Sequence, residues 1–187
     1  EEMSKRQMVA AETQRGAIRL SQVNPDSDPT DSVGGVSFRH LSMLAQIKSS
    51  DGDVWSSLNR SGHIEGDPSD SLRVRLARMR SWIGGAHFPE DAKLEIRSEI
   101  GDDARAEIGR DGIAFLRILS GLLSECEWTD AGIGESISEA CDSTGFSRKE
   151  GFSSIYWAVI GRRHGPKASS LLFEMDRGDI VSLLGSS

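Results

Sequence analysis

The residues best suited to chemistry cluster near the end of the chain. Arg148, Lys149, Arg162, Arg163 and Lys167 are opposed only by Glu150 over residues 146–170, a local net charge of +4. His164 lies among them, and Trp157 falls between the two groups of cations. Guanidinium and ammonium groups hold phosphate oxygens, and an indole stacks on an unpaired base, so this combination suits the loop of a folded RNA. The same pattern also suits a solvated helix end, because basic side chains favour helix C-termini. The residues alone leave both readings open.

Elsewhere the signatures of catalysis and metal binding are missing. Zinc sites need ligands at short paired spacing. Cys126 and Cys141 lie fifteen residues apart, and His40, His63, His87 and His164 are scattered. No glycine-rich phosphate loop follows a strand pattern, and no nucleophile elbow is present. Paired acids such as Glu125/Glu127 and Asp102/Asp103 read as solvated faces. No catalytic residue, no metal ligand and no cofactor is therefore expected within this chain.

The elements that must position the cations read as helices. Phe152, Ile155, Tyr156, Val159 and Ile160 recur at helical spacing, with the helix expected to stop near Gly165. Pro166 then suits the start of a second helix carrying Leu171, Leu172 and Met175, with Gly178 at its end. Ile180, Val181, Leu183 and Leu184 form a last short helix. Earlier, Ser37 suits the cap of a helix with Phe38, Leu41, Leu44 and Ala45 on one face and Arg39 and His40 off it. Asp51-Gly52-Asp53 is expected to end that helix. Leu72, Leu76, Met79 and Ile83 share a helix whose other face carries Arg73, Arg75, Arg78 and Arg80, suited either to RNA backbone or to acidic neighbours. No long alternating run appears. The expectation is all-α: a bundle or cage of about eight to ten helices joined by short loops. Residues 1–22 read as a helix, and 24–35, with two prolines and several turn formers, as a linker. The expected division is 1–35 (helix and linker), 36–111 (first helical subdomain) and 112–187 (C-terminal helical subdomain).

With 187 residues, 37 % hydrophobic and 27 % charged, the composition is globular. The net charge of −7 argues against non-specific nucleic-acid binding, so an RNA contact must come from a local patch. Residues 87–145 carry fourteen acids against five bases, directly before the cationic stretch. The cysteines read as buried free thiols, and the lack of a leader, a long apolar run or a cysteine framework gives a cytoplasmic expectation with no membrane contact. The chain opens on Glu1 with residues that read as mid-helix, and a piece of a longer polypeptide is expected.

Several short motifs, in order, carry a resemblance. Val36-Ser37-Phe38-Arg39-His40-Leu41, Leu44-Ala45-Gln46, Leu76-Ala77-Arg78-Met79-Arg80-Ser81-Trp82-Ile83 and the Phe88-Pro89-Glu90-Asp91 turn resemble the region after the catalytic domain of class I lysyl-tRNA synthetases. Phe152 to Gly161, His164-Gly165-Pro166 and Leu171-Leu172 look like that family's last helices, and are also similar to the end of glutamyl-tRNA synthetases. The resemblance implies an α-helical cage that holds the anticodon stem-loop of tRNA-Lys. It places Arg162, Arg163, His164 and Lys167 on backbone and base edges, Trp157 on a base, and Arg148 and Lys149 on phosphate. It also implies that the acidic stretch faces away from the tRNA. The family's nucleotide-binding fold and ATP motifs are absent here, so ATP and Mg are expected only in a full-length enzyme, on a catalytic domain of the same polypeptide. The alternative expectation is an all-α protein-interaction scaffold without an RNA role.

Overall fold

Hydroxyl side chains divide the chain into its helices. Ser37, Ser50, Ser69, Thr129 and Ser147 each accept a backbone N–H of the following first turn, satisfying a donor that a helix start otherwise leaves unpaired. Asp176 does the same for the last helix. The structure is a computed structural model that describes residues 35–186. Its helices are α1 (Phe38–Ile47), α2 (Asp51–Arg60), α3 (Asp70–Ile83), α4 (Asp102–Glu125), α5 (Asp130–Thr144), α6 (Arg148–Ile160), α7 (Ala168–Phe173) and α8 (Arg177–Gly185). A 3₁₀ turn at Glu90–Ala92 and an irregular stretch to Ile100 join α3 to α4. No strand occurs among the described residues, and the all-α expectation of eight to ten helices holds. The helix expected over 1–22 and the linker up to residue 34 lie outside the described residues.

Helix α4 is the centre of the C-terminal part. It packs on α5, α6 and α8 through Phe115, Leu116, Leu119 and Leu123, all fully buried. Burial of each such side chain is worth roughly 1.5–3 kcal/mol relative to exposure. The Phe115 ring stacks on Phe146 with centroids 5.5 Å apart. Gly151 lets α6 approach closely, since a Cβ there would meet Cys141 Sγ at 2.6 Å. Helix α4 is broken at Gly109, whose φ of 67° is left-handed. Two separate helical patterns, before and after this point, are visible in the sequence.

A second apolar cluster joins α1, α2 and α3 through Leu41, Leu44, Leu58, Leu72, Leu76 and Met79. It is tied to the C-terminal helices by Glu174, just past α7. The Glu174 side chain has no solvent exposure, and its Oε2 lies 3.3 Å from Lys48 Nζ and 3.1 Å from Arg60. The Ser57 hydroxyl donates to the same oxygen, and Lys48 also donates to the Glu174 carbonyl at 2.6 Å. Residues 36–187 form one compact unit.

Several local expectations are corrected. Helix α6 ends at Ile160, not near Gly165, because Gly161 adopts a left-handed φ of 63° and its N–H bonds the Trp157 carbonyl. Pro166 precedes α7 by two residues, and Gly178 lies inside α8 rather than capping α7. Asp51-Gly52-Asp53 opens α2 instead of closing α1, since Ser50 and Asp53 form a reciprocal capping box. Phe38 and Phe152, expected on apolar faces, are exposed. Both cysteines are free, but only Cys141 is buried; Cys126 sits half-exposed at the end of α4.

The Glu174 cluster yields a stability prediction. Glu174→Ala removes the acceptor shared by Lys48, Arg60 and Ser57, but Arg60 is half-exposed and Lys48 keeps its bond to the carbonyl of residue 174, so the loss is about 2 kcal/mol. Urea denaturation should show a decrease of that order. A decrease below about 1 kcal/mol would mean that the carboxylate contributes no net tie between the two helical clusters.

Candidate nucleic-acid interface

Helix α1 presents Phe38, Arg39 and His40 in its first turn because Ser37 caps it there, accepting the His40 N–H at 3.2 Å. These residues line a cleft of about 890 Å³. Arg60 and His63, at and beyond the end of α2, form a second side of it, and the 162–167 loop with Asp130 forms a third. The fourth side is the strap at 90–94, held from two directions. Gln46 accepts the Leu94 N–H at 2.8 Å and donates to the Ala92 carbonyl at 3.3 Å. From the other direction Arg162 donates to the carbonyls of Asp91 at 2.7 Å and Glu90 at 2.9 Å.

The loop after α6 is fixed by contacts that reach across the fold. The Tyr156 hydroxyl donates to the Pro166 carbonyl, and a Cβ on Gly165 would lie 2.9 Å from the Tyr156 ring, so that position takes only glycine without rearrangement. Arg97 lies over Gly161 and is bidentate on Asp103 at 2.7 and 2.9 Å. That pairing holds the Asp103 carboxyl down to about 2. Asp130, at the start of α5, accepts from Lys167 and from the hydroxyls of Ser169 at 2.9 Å and Ser170 at 2.7 Å. Burial opposes ionisation of Asp130, but Lys167 and the two hydroxyls outweigh it and keep the carboxyl below its usual range.

The sequence-derived residues separate into three groups. Arg162 and Lys167 reach the cleft, but both are engaged in holding its walls. His164 lines the cleft and Arg163 is exposed beside it in the same loop. No hydrogen bond or ion pair engages the side chain of either among the described residues. Arg148 and Lys149 stand at the other end of α6, about 20 Å away along a thirteen-residue helix. Arg148 there faces Asp142 at 3.7 Å. Trp157 is half-buried and does not line the cleft. Two members of the acidic stretch, Asp91 and Asp130, do line it, so that stretch is not wholly turned away.

The fold adds residues that sequence spacing does not bring to the site. Arg39 lines the cleft and is exposed, with no side-chain partner among the described residues. Arg60 divides its guanidinium between Glu174 and the Phe173 ring, 4.6 Å from the centroid. His40 and His63 stack with centroids 4.5 Å apart and planes 15° from parallel, and Ser61 Oγ lies 2.7 Å from His63 Nδ1. His40 Nε2 is shielded from solvent without a hydrogen-bond partner. Burial, and then the neighbouring His63, push the His40 imidazole below its usual value, against the opposing pull of Glu174 and Asp130. The stacked imidazole rings, with the unpaired Arg39 guanidinium at the rim, suit a flat heterocycle carrying a negative charge. No group of three or more His, Cys, Asp or Glu able to hold a metal occurs among the described residues. None of the described helices is long and apolar enough to cross a membrane.

The His40 environment gives a pH prediction. A neutral form favoured in the fold contributes stability that is complete above the ordinary imidazole value near 6.5 and is lost as pH falls below it. The melting temperature should therefore drop between pH 7.5 and 5.5, and the drop should be smaller in His40→Phe. Equal drops in both proteins would remove His40 as the cause.

No protein-family profile matches the chain. Curated relatives do. The lysine–tRNA ligase of Pyrococcus horikoshii is 26 % identical over 176 residues, covering 89 % of this chain and 32 % of that protein. The lysine–tRNA ligase of Methanopyrus kandleri is 27 % identical over 177 residues, covering 87 % and 31 %. That of Aeropyrum pernix is 26 % identical over 169 residues, covering 86 % and 30 %. The chain spans about a third of the length of these relatives. Over nearly nine-tenths of its length, this chain resembles one region of the archaeal lysine–tRNA ligases.

Proposed function

We propose that this chain is the C-terminal, anticodon-binding part of a class I lysyl-tRNA synthetase, acting in the cytoplasm, and that its cleft receives the anticodon loop of tRNA-Lys. The observation that carries this reading is the cleft rim: Arg39 and His164 line it and Arg163 stands exposed in the same loop, none of them with a side-chain partner among the described residues, on a chain whose net charge is −7. Guanidinium groups left unpaired on an acidic protein serve an anionic ligand better than they serve the fold. The similarity to lysine–tRNA ligases makes tRNA the natural anion.

On this reading the chain contributes selection rather than chemistry. Phosphates of the loop sit on the Arg39 and Arg163 guanidiniums and fix its register, while an unstacked base enters the cleft and is read by hydrogen bonds. Activation of lysine with ATP and Mg belongs to a catalytic domain of the same polypeptide. Arg162 and Lys167 act by holding the cleft walls. Arg148 and Lys149, at the far end of α6, touch phosphate only if the stem runs along that helix.

Arg163→Ala combined with His164→Ala tests the reading directly. Affinity for a tRNA-Lys transcript should fall, and the salt dependence should flatten by about 0.7–0.9 in log–log slope for each phosphate no longer neutralised. Helix content by circular dichroism should stay unchanged. Gel shifts against tRNA-Lys and an unrelated tRNA supply the specificity ratio. Equal binding of both tRNAs by the wild-type chain would remove the selectivity for tRNA-Lys, and no binding of either would point instead to the protein-interaction scaffold.

A further inference from the structure

The outer face of α3 carries Trp82 beside Phe38, a cleft-lining residue of α1. Phe38 is 56 % exposed and Trp82 is 42 % exposed. Their ring centroids lie 6.0 Å apart with planes tilted by 47°. Trp82 is set edge-on against the buried Phe88, 4.8 Å away at 82°, so its indole is held in place from beneath. The two rings thus form a supported aromatic step on the surface.

The same face carries cations. Arg75 and Arg78 precede Trp82 by seven and four residues, spacing that puts all three on one side of a helix. Both are exposed, and neither has a side-chain partner among the described residues. Their neighbours on α3 differ. Arg73 donates to the Pro68 carbonyl at 3.3 Å. Arg80 pairs with Asp51 at 2.7 Å and donates to the carbonyls of Ala45 and Lys48. Arg39, next to Phe38, links the step to the rim of the cleft.

We propose that this surface binds unpaired RNA that leaves the cleft, with bases stacking on Phe38 and Trp82 and phosphates on Arg39, Arg75 and Arg78. The proposal rests on the reading of the cleft as an RNA site and extends it along α3. Charge complementarity selects the occupant: exposed rings flanked by three unpaired guanidiniums match a strand of alternating base and phosphate. It also moves the stacking role from Trp157, which is half-buried, to rings that are open.

The test uses the 187-residue chain and a fluorescently labelled decauridylate, read by anisotropy over a salt series. Phe38→Leu and Trp82→Leu should each weaken binding roughly tenfold with the salt slope unchanged, as removal of base stacking does. Arg75→Gln with Arg78→Gln should lower the slope by about 1.4, the value for two phosphates of a single strand. Trp82→Phe should restore most of the affinity, which a purely structural role of the indole would not explain. Wild-type failure to bind decauridylate, or wild-type affinity in the Phe38 and arginine variants, would overturn the proposal. Measured on tRNA-Lys, the Trp82 and arginine variants of α3, which lie outside the cleft lining, separate the two ideas. If Arg163→Ala/His164→Ala weakens binding while the α3 variants do not, the cleft reading stands and the α3 surface falls. If neither set matters, both fall.

Discussion

One buried carboxylate joins the two halves of the described fold. Glu174 is shielded from water and engages Lys48, Arg60 and Ser57 at once. An isolated charge in that position would be strongly unfavourable, so the site is tolerable only while its partners are in place. Those partners come from the end of α1 and from α2, whereas Glu174 itself follows α7. The cluster therefore makes the approach of the α1–α2 pair to α7 obligatory, and the cleft lies along that approach.

The basic residues near the cleft divide by employment. Arg162, Lys167 and Arg60 are engaged by carbonyls, by Asp130 and by Glu174. Arg39, Arg163 and His164 have no such engagement among the described residues. This separation explains how an acidic chain presents a local surface for a polyanion: one set of basic residues builds the walls and another is left facing solvent. A count of charges along residues 146–170 cannot distinguish the two sets, because the difference lies in what each guanidinium or ammonium meets in three dimensions.

Local features are the legible part of the fold. Serine and threonine caps at 37, 69 and 129 mark helix starts because the cap joins residues three apart. The end of α6 is not legible, because Gly161 and Gly165 are equally permissive in sequence. The left-handed turn at Gly161, with the N–H groups of Gly161 and Arg162 bonding back to Trp157 and Tyr156, decides between them. Asp51 and Asp53 resemble a turn because the capping box depends on Ser50 with Asp53, and Asp51 is taken up by Arg80 of α3. In the candidate site, Arg162, Arg163, His164 and Lys167 are visible as a cationic run. Arg39, His40 and His63 are not, since their meeting with that run is wholly tertiary. Spacing assigns Phe38 inward and the fold leaves it exposed at the start of α1, whose buried face runs over Leu41, Met43, Leu44 and Ala45.

The strap at 90–94 is gripped through its main chain. Gln46 and Arg162 bind the carbonyls of Glu90, Asp91 and Ala92 and the amide of Leu94, not the side chains those residues carry. Its path is thus largely independent of its own side-chain identities. Relatives could exchange residues there, Asp91 foremost, and alter the polarity of one wall without moving it. Such a wall is a place where ligand preference can drift while the architecture stays still.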